Sequence, residues 1–116
     1  MAYDEGMAQT LREALEGLPG ISEKKMFGGL CFLMNGNMVC GVHGGSRHEP
    51  VPGCMFRVGP ERMEQALAIP GTATMAFTGR PMKGMVEANA AVLADDARRG
   101  ALVGLAVAFA SSLPPK

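Results

Sequence analysis

Leu30-Cys31-Phe32-Leu33-Met34-Asn35-Gly36-Asn37-Met38-Val39-Cys40-Gly41-Val42 is the stretch on which a reading of this chain rests. Two apolar runs, Leu30 to Met34 and Met38 to Val42, flank Asn35-Gly36. A two-residue type I′ turn needs positive φ at both central positions, and Asn-Gly meets that demand best, so the stretch predicts a β-hairpin. Counting outward from the turn, Met34 faces Asn37 and Cys31 faces Cys40, in a non-hydrogen-bonded pair where side chains approach closest. Alternation then puts Cys31, Leu33, Met38, Cys40 and Val42 on one face of the hairpin and Leu30, Phe32, Met34 and Val39 on the other. Both faces are apolar, more than a sheet with one wet side needs. Helices can cover one. The other, with Leu30, Phe32, Met34 and Val39, is a candidate interaction face for a symmetric partner, a ligand or further elements of the chain.

Working outward, Asp4 caps a first helix whose Met7, Leu11, Leu15 and Leu18 recur at helical spacing until Pro19-Gly20. Glu23 to Phe27 reads as a strand leading into Gly28-Gly29. Beyond the hairpin, His43 to Gly53 is a polar loop and Cys54 to Val58 a strand. Pro60 opens a second helix with Met63, Ala66 and Leu67 on its buried side. Thr72 to Phe77 and Gly84 to Asn89 are strands around a turn over 78–83, and Asp95 caps a last helix carrying Leu102, Leu105, Ala106 and Phe109. The order is helix, three or four strands, helix, two strands, helix. Strands in hairpin-connected groups predict an α+β fold, an antiparallel sheet with helices packed on it, as one domain over residues 1–116.

Composition limits the function. At 47% apolar and 19% charged, the chain is no disordered segment. Eleven Lys and Arg balance eleven Asp and Glu, and with a pI near 6.7 no general basic field exists to hold phosphates. Direct nucleic-acid binding is therefore not expected. The acidic start, Met1 to Glu5, lacks the order of a signal peptide. The longest apolar run, Gly100 to Leu113, falls short of the ~20 residues that span a bilayer. Three cysteines without a secretory signal point to the reducing cytoplasm.

Two groups of side chains could carry chemistry. Cys31 and Cys40, opposed in the hairpin, suggest a redox-sensitive pair, and with His43, His48 and Cys54 they suggest a metal site. The spacing lacks C-x2-C, and alternation can send these ligands to opposite faces. The plainer reading is small buried hydrophobes, since free Cys is among the most buried residue types. Arg57, Arg62, Arg80 and Lys83 cluster around strand ends and turns as a candidate anion site, with a solvated rim as the plainer reading. No serine lies in a G-x-S-x-G context and no phosphate-binding glycine loop follows a strand. No catalytic residue or cofactor is expected.

Lys25-Met26-Phe27-Gly28-Gly29-Leu30-Cys31-Phe32 with the Asn35-Gly36-Asn37-Met38 turn, then Arg57-Val58-Gly59-Pro60, then Gly79-Arg80-Pro81-Met82-Lys83-Gly84, resembles in order the motifs of the N-terminal domain of the TfoX/Sxy competence regulators. The resemblance covers nearly the whole chain. It implies a secretion-chaperone-like antiparallel sheet, a bacterial source, and a non-enzymatic regulatory module acting through a protein partner or as a homodimer. Full-length members of that family pair this domain with a C-terminal helical one, which lies outside this sequence, and the resemblance carries no catalytic residues.

Overall fold

The computed structural model describes residues 3–26, 28–45, 51–77 and 80–116. Helix α1 (Glu5–Ala14) is followed by strands β1 (Ile21–Met26), β2 (Gly29–Met34), β3 (Asn37–His43) and β4 (Gly53–Arg57). A 3-10 turn (Pro60–Arg62) leads into α2 (Met63–Leu67). Then come β5 (Thr72–Phe77), β6 (Arg80–Ala88), α3 (Ala90–Ala94) and α4 (Asp96–Ser112). The six strands form one antiparallel sheet in the order β1-β2-β3-β4-β6-β5. The expected α+β class and antiparallel sheet are present. The first four strands form a meander. β5 then lands at the far edge, and its hairpin partner β6 fills the place beside β4.

Local chemistry starts the helices where side chains can satisfy free N–H groups. Asp4, Asn89 and Asp95 each accept a bond three residues on, from the backbone N–H of Met7, Val92 and Arg98 at 3.0, 3.1 and 3.0 Å. The Asn89 cap was not anticipated: Asn89 reads as the end of a strand but instead starts α3. Arg80 to Lys83, expected in a turn, belong to β6. Gly84 bends that strand at φ 89°, and its carbonyl accepts from Val58 and Gly59 at 2.9 and 3.1 Å.

The Asn35-Gly36 turn has φ of 50° and 85°, both positive as a type I′ turn requires. The register beyond it differs from the plain count. Leu33 faces Met38, but Phe32 faces Cys40 and Cys31 faces Gly41, leaving Val39 as the extra residue of a β-bulge. One extra residue reverses the facing of everything beyond it. Cys40 thereby joins Val39 and Val42 on the same side as Phe32, while Gly41 and His43 turn to the side of Cys31.

Two cores result, one on each face of the sheet. On the helical side Met7, Leu11 and Leu15 of the α1 region and Leu102, Ala106 and Ala110 of α4 cover Leu30, Phe32, Val39, Val42, Phe56 and Val86. The two alanines let α4 lie close to the strands. Each large side chain buried there contributes about 1.5–3 kcal/mol. The second core consists of Cys31, Met38, Met55, Met75 and Met85, with Met26, Leu33 and Met82 against them. All six strands contribute and, among the described residues, no helix does. Methionine is long, unbranched and flexible, so it can lie along a sheet and fill irregular gaps. Gly41 makes room for one of them: a Cβ there would lie 2.9 Å from Cε of Met55 and 2.6 Å from the Leu30 carbonyl oxygen.

The end of the chain straps the hairpin. Asn37 Nδ2 donates to the Pro114 carbonyl at 2.9 Å, and Lys116 N–H donates to the Asn35 carbonyl at 2.8 Å. Asn37, the one buried polar side chain among the described residues, thus has its partner. Among the described residues no helix is long and apolar enough to cross a membrane.

Candidate functional site

The bulge divides the residues that the plain hairpin count had brought together. Cys31 lies in the methionine layer, while Cys40 and Cys54 lie under the helices on the opposite face. The cross-strand Cys31–Cys40 pair does not exist, because the extra residue Val39 puts Gly41 opposite Cys31. All three thiols are free and buried. Burial pushes Cys31 up to about 11 and Cys54 up to about 12. Cys40 is raised further, by burial first and then by its thiol neighbours. The thiolate is the nucleophile and the metal ligand, so these groups are held in their unreactive form.

His43 shares the face of Cys31. Its ring packs over Gly53, where a Cβ would come within 2.9 Å of Cε1. Nδ1 accepts from the Gly45 N–H at 3.0 Å, which places the ring proton of the neutral form on Nε2. Nε2 is buried and has no partner among the described residues. Burial holds the His43 pKa below its ordinary value, and the charge of Glu87 partly opposes that. No group of three or more His, Cys, Asp or Glu converges as a metal centre among the described residues. His48 lies outside the described residues.

Of the cationic set, Arg57, Arg62 and Lys83 flank the place where Gly84 of β6 meets Val58, Gly59 and Pro60. Arg57 places its guanidinium 5.2 Å from the centre of the Phe109 ring, a stacking contact in which the charge faces an aromatic surface. Lys83 is exposed on β6, beyond the Gly84 bend. Arg62 is exposed at the end of the 3-10 turn, and the Arg80 side chain lies outside the described residues.

The candidate interaction face is corrected as well. Leu30, Phe32, Met34 and Val39 are buried within the chain's own core, beneath α1 and α4. On the opposite face Cys31, Met38, Met55, Met75 and Met85 are buried as well. Large apolar side chains on the surface are few: among the described residues only Val51, 64% exposed, and Leu67, 38% exposed, stand out. A cleft of about 520 Å³ runs between α1 and α4, lined by Thr10, Glu13, Asp96, Arg99 and Gly100. Arg99 is already engaged there, with the Leu93 carbonyl at 2.9 Å and Asp96 at 2.7 Å.

What remains accessible is backbone at the two ends of the sheet. β1 and β5 each pair on one side only among the described residues. Sequence reading did not single these edges out, because strand order is a long-range property. The signal available was the contrast between Ser22-Glu23-Lys24-Lys25 and the uncharged Thr72 to Phe77.

No curated protein and no solved structure matches the chain. The family model of the TfoX N-terminal domain matches residues 13–110, from within α1 to near the end of α4. With that match spanning the whole sheet and most of α4, the chain belongs to the TfoX N-terminal domain family.

Proposed function

We propose that the chain is a non-catalytic interaction module in bacterial regulation, of the kind that competence regulators carry. The observation behind this reading is the family match over residues 13–110. The geometry is consistent with it. The three thiols are withdrawn into two separate cores, whereas the sheet leaves strand edges available for another chain. Balanced charge favours a protein partner over a nucleic acid, whose phosphates select basic surfaces.

The test is genetic. The gene is removed from its source bacterium and restored, and competence transcripts and transformation frequency are measured. The expected result is a shift in both that the restored gene reverses. Unchanged transcripts and transformation, with an activity traced to a small-molecule substrate, would sink the reading.

A further inference from the structure

The two edges of the sheet differ in kind. β1 presents Ser22, Glu23, Lys24 and Lys25, all exposed, and Glu23 is held by Arg12 at 2.6 Å. Charged side chains, Lys above all, keep an edge strand from pairing with other chains. β5 carries Thr72-Ala73-Thr74-Met75-Ala76-Phe77, with neither charge nor proline. Ala73, Thr74 and Ala76 are exposed, and among the described residues the backbone of β5 pairs with β6 alone. The Thr72 N–H donates to the Ile69 carbonyl at 3.3 Å rather than across the ladder to Ala88. Ladder bonds alternate along an antiparallel strand, so Thr74 also turns its N–H and C=O away from β6. Leu67, an exposed large apolar residue, ends α2, the helix that packs on β5.

We propose that this edge pairs with β5 of a second copy, antiparallel about a two-fold axis at Thr74, joining two six-stranded sheets into one. The faces agree with that occupant. An axis perpendicular to the sheet sets Thr74 against Thr74 and keeps both helical layers on one side, and Thr–Thr pairs across strands are favourable. The charges agree too: two copies of a chain with zero formal charge do not repel at long range, and no like charges meet along the strand. Six residues of edge cover less than the roughly 800 Å² per partner of a standard interface, so the dimer is weak and concentration-dependent. The inference deepens the interaction-module reading and rests on it.

Sedimentation of the purified full chain from micromolar to millimolar concentration is the test. The 12.1 kDa monomer is expected to pass to a dimer. Thr74→Lys should raise the midpoint at least tenfold with an unchanged circular-dichroism spectrum, while Thr74→Val leaves it in place. Should Thr74→Lys fail to fold, Thr74→Cys answers the same question: mild oxidation should link it as a dimer, while the parent, with three buried thiols, stays unlinked. A chain monomeric at millimolar concentration overturns the proposal. So does a dimer indifferent to Thr74→Lys, or a monomer that takes up only an unrelated extended peptide along β5. Competence transcripts are read separately, so loss of the dimer and loss of the regulatory role are distinguishable.

Discussion

Cys31, Cys40 and Cys54 are within two strands of one another, yet their chemistry is set by burial. Native protein treated with iodoacetamide at pH 8 should show no added mass, and all three thiols should label in urea. Rapid native labelling of any of them would contradict the closed cores. The raised pKa values also fix a pH dependence. A thiol at about 11 or 12 in the fold and ~8.5 unfolded binds more protons in the native state between those values. Its contribution to stability is complete below the unfolded pKa and declines as pH rises through the folded one. The melting temperature should therefore fall from about pH 8.5 upward, less steeply in Cys31→Ala. His43 has the opposite sign. Its depressed pKa contributes stability above its unfolded value near 6.5, lost as pH falls. Melting curves of His43→Gln should decline less between pH 7 and 5 than those of the parent.

At the level of elements, the Asn35-Gly36 turn was legible because its backbone demands particular residues. The bulge at Val39, three residues later, was not. Both faces of the hairpin are apolar, so no polar residue between Met38 and Val42 marks where the alternation breaks. The structure supplies the reason for the break. In the plain register Gly41 and His43 would lie beneath the helices, leaving Cys40 and Val42 on the other face. The extra residue buries Val42 there instead and turns the imidazole away. Gly41 is bound to this arrangement: Gly41→Ala places a Cβ 2.6 Å from the Leu30 carbonyl oxygen and should cost about 1–3 kcal/mol by overpacking, measured by urea unfolding. The strap is a second test. Asn37→Ala should cost about 1 kcal/mol. Truncation after Leu113 removes the same bond, so a double-mutant cycle should find the two changes non-additive.

Across the whole molecule the class of fold was readable from hairpin-connected strands and capped helices, whereas the insertion of β6 between β4 and β5 was not. Local character even points the wrong way: the uncharged β5 is at the edge, while β6, with Arg80, Pro81, Lys83 and Glu87, is the inner strand. The two cores were not readable either: the sequence shows ten methionines without showing that those from five strands gather on one face. The helical core should dominate stability. Leu102→Ala, at a fully buried position under which the strands are packed, is expected to cost about 2–5 kcal/mol in urea unfolding.

The methionine layer also gives the sheet a chemistry of damage. Oxygen added to a thioether makes a polar, chiral sulfoxide that no longer fits an apolar lining. The layer is graded: Met26 and Met82 are partly exposed, while Met55 is sealed beneath its neighbours. Peroxide should therefore enter from the margins, modifying Met26 and Met82 while the sheet stays intact. Once it reaches Met55, the methionine layer loses its apolar fit, and enzymatic reduction of the sulfoxide would restore it.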